Sequence, residues 1–96
     1  LIDRSILKNK AYLLEKLVEE AAEVIQAVQK VKLFSAQHKY DDKSNIEHLS
    51  NEIKDFLVVL ELYSKQEPEV PVVVDKEYRK YKEDRLVYYG QFSNVR

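Results

Sequence analysis

Nothing in the first two-thirds of this chain breaks a helix: its only prolines are Pro68 and Pro71, and its only glycine is Gly90. Folds built from sheets turn often and use glycine and proline at the turns. A chain this poor in both is confined to long helices joined by few loops. Ala, Leu, Glu, Gln and Lys fill much of the first segment, and all favour helix. Leu14, Val18, Ala21, Ile25 and Val28 recur at alternating steps of four and three, the spacing of one helical face. The expected first helix runs from about Ser5 or Asn9 to about Phe34.

A polar stretch from Ser35 to Lys43 follows and reads as a loop with the charged tip His38, Lys39, Tyr40, Asp41 and Asp42. Ser44 and Glu47 then have capping-box spacing, in which a hydroxyl and a carboxylate satisfy free amides of a first helical turn. Ile46, Leu49, Ile53, Phe56 and Leu60 carry a second helix to about Tyr63. Two striped helices joined by a short loop make an antiparallel hairpin over about residues 9–63. After the break at Pro68 and Pro71, a third segment of about Val72 to Leu86 is expected to be helical, with Val74, Tyr78 and Tyr81 on one side. Val72 to Val74 suit extended chain equally well. The tail from Gly90 to Arg96 reads as loose. The expected fold class is all-α, a helical hairpin plus a shorter third helix in a single domain spanning residues 1–96.

With 45% apolar residues among 96, the chain can form a core. A domain this small nevertheless leaves much of its surface wet unless a partner covers it. Leu13, Leu17, Val24 and Val31 form a second apolar set on the first helix, so its hydrophobic surface is wide. Two hairpins related by a twofold axis would cover it in a four-helix bundle, so a homodimer or dimer of dimers is expected. A net charge of −1 gives no reason to expect nucleic acid or a membrane as partner. The longest unbroken apolar run, Phe56 to Leu60, is far too short to span a bilayer. The absence of cysteine excludes disulfides and thiolate metal sites, and suits a cytoplasmic protein. The chain opens on Leu1 rather than Met, so its ends are not taken as natural termini.

The acids are paired. Glu20 and Glu23 are three apart on the first helix, and Glu52 and Asp55 are three apart on the second. Such neighbours sit about 60° apart around a helix, beside the apolar stripe in each case. Packing the stripes would gather four carboxylates at the edge of the core. Like charges withdrawn from water repel and are costly to desolvate, and a hard divalent cation relieves both penalties. Mg²⁺ prefers carboxylate and water oxygens and leaves positions open for phosphate. Spacing alone also fits a solvated face paired with Lys16, Lys30 and Lys54.

Beyond spacing, the stretch from Lys16 to Ala27, KLVEEAAEVIQA, and that from Asn45 to Leu57, NIEHLSNEIKDFL, resemble the all-α NTP pyrophosphatase superfamily. MazG-type enzymes, dimeric dUTPases and phosphoribosyl-ATP pyrophosphohydrolases belong to it, and its signature is ExxE, a spacer, then ExxD. The likeness covers roughly residues 13–63 and is nearest to small MazG-like proteins. Val59 stands where phosphoribosyl-ATP pyrophosphohydrolases usually carry a His, and their N-terminal motif is missing. Asn51 stands where many relatives have an acid.

The resemblance implies Mg²⁺, with Mn²⁺ as a substitute, held by Glu20, Glu23, Glu52 and Asp55. It implies hydrolysis of a nucleoside triphosphate to the monophosphate and pyrophosphate, by in-line attack of a metal-activated water. Glu19 and Glu20 are the candidates for orienting or deprotonating that water, although Glu19 is equally placed for an ion pair with Lys16. Relatives use a basic helix after the second acidic one, which points to Arg79, Lys82 and Arg85 as phosphate contacts, with Lys16 a further candidate. Tyr12, Phe34 and Tyr81 have rings that can stack on a base, but aromatic residues on helices more often fill cores. His38 and His48 do not share the spacing of the acid pairs and are not expected to be ligands. The competing reading is a non-catalytic helical module that binds a protein or a nucleotide without turnover.

Overall fold

A computed structural model describes residues 2–94. A 3-10 turn over Ser5–Lys8 leads into α1, Lys10–Phe34, and α2 spans Asn45–Gln66. A short third helix, α3, spans Lys76–Gly90. Of the two possible starts for α1, Asn9 is the cap: its side chain accepts from the Tyr12 amide at 2.9 Å. Ser44 caps α2, accepting from the Glu47 amide at 3.2 Å and donating to the Glu47 carboxylate at 3.4 Å. α3 begins later than expected because Asp75 caps it through the Tyr78 amide at 2.8 Å, which leaves Val72–Val74 outside any helix. The helix reaches Gly90, so the loose tail is shorter than expected, and Val95 and Arg96 lie outside the described residues.

The connection between α1 and α2 is more than a loop. Lys39–Tyr40 (β1) pairs antiparallel with Lys43–Ser44 (β2) around the turn residues Asp41 and Asp42. Both turn residues lie at positive φ, 58° and 65°, as a two-residue type I′ hairpin requires. Aspartate tolerates that conformation better than most residues because its short carboxylate hydrogen-bonds locally.

Asn45 fastens this miniature hairpin to the helices. It is 2% exposed, and its Nδ2 donates to the carbonyls of Ser35 at 3.0 Å and Lys30 at 3.3 Å. Its backbone amide donates to His38 O at 2.8 Å. Ser35 sits at φ 86° and ψ 159°, a region essentially reserved for glycine and costing about 1–3 kcal/mol elsewhere. Asn45→Ala strands the Ser35 carbonyl, removes a second bond to Lys30 O and leaves a strained residue unheld, so we expect it to destabilise the protein by roughly 2–4 kcal/mol. Urea unfolding checks this, and a loss below about 0.5 kcal/mol, the range of an ordinary surface change, would show that Asn45 fastens nothing.

α1 and α2 pack side by side, but on the less expected face. Leu13 and Ala27 are buried, with Leu17, Ala21, Val24 and Val31 half-buried, so the face on α2 is largely the set first read as secondary. The main stripe lies outside the seam: Leu14, Val18, Ile25 and Val28 are 47%, 71%, 62% and 37% exposed. On α2, Leu49, Phe56 and Leu60 turn inward while Ile46, Ile53 and Leu57 are exposed. The reason is the width of the apolar arc on α1, which one helix cannot cover.

α3 is not packed on the hairpin, and every residue from Pro71 to Phe92 is exposed. The radius of gyration is 16.8 Å, against about 12.5 Å for a compact domain of this length. The accessible surface is 8355 Å², roughly 2,600 Å² above that of a compact monomer of equal mass. No described helix is long and apolar enough to cross a membrane.

Candidate metal centre

α1 and α2 run antiparallel, so the middle of one helix meets the middle of the other where the acid pairs lie. At 100° per residue, Glu20 and Glu23 lie on one flank of the seam and Leu14, Val18 and Ile25 on the opposite one. The acidic edge and the free apolar face are therefore different sides of the hairpin.

Glu20, Glu52 and Asp55 each offer a carboxylate oxygen within 4.8 Å of the others. Glu20 and Glu52 are half-buried, and each has one oxygen, Oε2, shielded from solvent with no hydrogen-bond partner. Glu23 is exposed and outside this triad. Its carboxylate nevertheless approaches both half-buried acids. Burial, then the charges of Glu23, Asp55 and Glu19, raise the Glu20 carboxyl above its ordinary value. Hydrogen bonding with Glu23 does most to raise Glu52, followed by burial and then the charges of Glu23, Asp55 and Glu20.

The solvated-face reading requires lysines beside these acids. Among the described residues the ion pairs are Lys10 with Glu67, Lys16 with Glu19 and Lys80 with Asp84, so none of the four acids has a cation within pairing distance. Lys16 binds Glu19 at 2.7 Å, and Glu19 raises the lysine's pKa. That contact leaves Glu19 engaged rather than free beside the cluster. Lys30, also available to the acids by spacing, instead lies over the Tyr40 ring, 5.0 Å from its centroid.

A divalent cation fits what is present. Carboxylates are the hard oxygen donors Mg²⁺ takes, and twice an Mg–O distance of ~2.1 Å is ~4.2 Å. Oxygens already within 4.8 Å of one another are close to sharing one ion. The two orphaned oxygens would gain the partner they lack. Glu20, Glu52 and Asp55 would hold the ion, with Glu23 beside them.

The basic residues are not brought here. Arg79 and Lys82 flank a shallow groove on α3 with Val74, Tyr78, Glu83 and Leu86. Arg85 is stacked between Tyr81 and Tyr89, 5.5 Å from each ring, and donates to the Tyr81 hydroxyl at 3.0 Å. Phe34 and Tyr81 are exposed rather than core, while Tyr12 is half-buried with Lys16 over its ring. Neither histidine belongs to the acid group, though His48 helps to wall a cleft beside it. Tyr40, in that same cleft, was not singled out from sequence. The consecutive Asp41 and Asp42 were the available sign that its segment is a hairpin arm.

No family model matches the chain, and neither a curated protein nor a solved structure does.

Proposed function

We propose that this protein is a divalent-metal-dependent nucleoside triphosphate pyrophosphohydrolase, converting an NTP or dNTP to the monophosphate and pyrophosphate. One observation carries the reading: acids from two helices converge without any cation, leaving two shielded carboxylate oxygens unpartnered. Shielded carboxylate oxygens are rarely left so, because each orphaned one costs free energy. The ExxE and ExxD spacing of those same acids supports the reaction class. Bound there, Mg²⁺ would neutralise charge on the triphosphate and make the attacking water more acidic.

The protein's own residues then divide the work. Glu20, Glu52 and Asp55, with Glu23 beside them, form the acidic edge that binds the ion. We assign Glu19 to directing the water and Lys16 to meeting a phosphate, roles that require their 2.7 Å ion pair to open when substrate binds. We assign Arg79, Lys82 and Arg85 to the phosphates as well, reached when α3 docks in an assembled protein. Arg79→Ala, Lys82→Ala and Arg85→Ala are expected to raise KM or lower kcat, at least one by tenfold, ~1.4 kcal/mol. Wild-type kinetics in all three would make α3 a solvated helix.

Assembly is part of the proposal. The exposed stripe on α1 and the excess surface fit a homodimer or dimer of dimers. A standard interface covers about 800 Å² per partner, well within that excess.

The metal site is tested by thermal unfolding in Mg²⁺ or Mn²⁺. Saturation at 100 times Kd adds about 2.7 kcal/mol, a shift of several degrees that the double variant Glu20→Gln/Glu52→Gln should abolish. An equal shift in that variant would place the ion elsewhere. No shift in the wild type would favour the non-catalytic helical module.

A further inference from the structure

A cleft opens one to two helical turns from the acid triad, where α1 ends and α2 begins. It is lined by Ala27 and Lys30 of α1, Tyr40 of β1, and Asn45, His48 and Glu52 of α2. Glu52 belongs to both cleft and triad, so the two adjoin along the groove between α1 and α2. From Glu23 the groove follows Ala27 and Lys30 along α1, and from Glu52 it follows His48 and Asn45 back along α2. From Glu52 to Asn45 is about 10 Å at 1.5 Å per residue.

The far wall is built from specific contacts. Tyr40 is carried on the type I′ hairpin, and its carbonyl lies 2.8 Å from His48 Nε2. A carbonyl only accepts, so Nε2 carries the hydrogen of this contact. The Tyr40 and His48 rings are 5.9 Å apart, and Lys30 Nζ lies 5.0 Å from the Tyr40 centroid. Tyr40 is 62% exposed, so no core packing consumes its ring. Held in place yet open, this aromatic is expensive to explain as packing.

We propose that this cleft is the base subsite of the enzyme, seating the nucleobase of a triphosphate whose phosphates lie at the acid triad. The inference rests on the pyrophosphohydrolase reading and deepens it. The cleft holds about 210 Å³, below the ~300–1,000 Å³ of pockets that enclose a drug-sized ligand. One planar ring system fits, and a whole nucleotide does not. Lys30 lies over one face of Tyr40 and fixes the ring, and the base stacks on the other. Stacking on one aromatic tolerates any base, so the subsite adds affinity more than base selectivity.

The probes are the α,β-methylene analogues of dATP, dCTP, dGTP and dUTP, with inorganic tripolyphosphate as a base-free control, titrated by calorimetry in Mg²⁺. Tyr40→Leu keeps strand-compatible bulk and removes the aromatic face. It is expected to weaken at least one analogue about tenfold while leaving tripolyphosphate unchanged, and Tyr40→Phe is expected to bind as the wild type. The subsite is overturned if Tyr40→Leu binds all four analogues as the wild type does, or loses tripolyphosphate in equal proportion. A wild type that binds tripolyphosphate as tightly as every analogue also overturns the subsite, while sparing the phosphate site. Binding of neither class overturns the pyrophosphohydrolase reading, and the subsite with it.

Discussion

Glu20→Gln and Asp55→Asn are each expected to lower pyrophosphate release at least a thousandfold, about 4 kcal/mol of barrier, while both helices stay folded. The two properties separate because the acids are costly to the metal-free protein. Glu20 and Glu52 are held above their ordinary 4.5, Glu20 chiefly by burial and Glu52 chiefly by hydrogen bonding with Glu23. The folded chain therefore keeps protons that the unfolded chain releases. Stability contributed by these groups is complete below pH 4.5 and is lost as pH rises through the elevated folded values. At neutral pH without metal, replacing Glu20 by the uncharged amide should leave the melting temperature unchanged or raise it. Mg²⁺ should flatten the pH dependence of the wild type and not that of Glu20→Gln. A variant that unfolds would mark Glu20 as a structural partner instead, and the metal assignment would fall.

The second large effect concerns Ile25, at 62% exposure in a single chain. Aspartate there costs a monomer within about 0.5 kcal/mol, as for most surface changes. In a four-helix dimer, each copy of Ile25 contributes about 1.5–3 kcal/mol by burial, and an unpaired charge in its place costs more. Ile25→Asp is therefore expected to give monomers by sedimentation equilibrium and to lose activity with assembly. Phe56→Asp should do the same, but Phe56 is half-buried within one chain whereas Ile25 is exposed, so Ile25 is the cleaner probe. A fully active monomer of 11.4 kDa would rule out the shared bundle.

The helices were legible because their signals are local. Caps at Asn9 and Ser44 and the near-absence of glycine and proline mark α1 and α2 to within a few residues. The acid pairs were legible as i, i+3 spacings, but Glu20 meets Glu52 only because the stripe of Leu13, Leu17 and Val24 is the one inward. The choice of stripe was not legible. Both sets on α1 are apolar, and which one meets α2 depends on the angle set by the α1–α2 connection. That connection turns on Asp41 and Asp42 at positive φ and on Asn45 reaching back to Ser35 and Lys30, contacts that carry no periodic signature. The same long-range closure placed Tyr40 and His48 beside Glu52. The position of α3 was illegible for another reason: Tyr78, Tyr81, Tyr88 and Tyr89 share one side of it, within about 100°, yet all four are exposed, so the aromatic side does not mark a core contact.

The most direct test is product analysis after incubating the wild-type protein with Mg²⁺ and a panel of NTPs and dNTPs. The account predicts nucleoside monophosphate and pyrophosphate in equal amounts from at least one substrate, with neither formed by Glu20→Gln. Diphosphate with orthophosphate, or no product from any nucleotide while the protein is folded and bound to Mg²⁺, would contradict it.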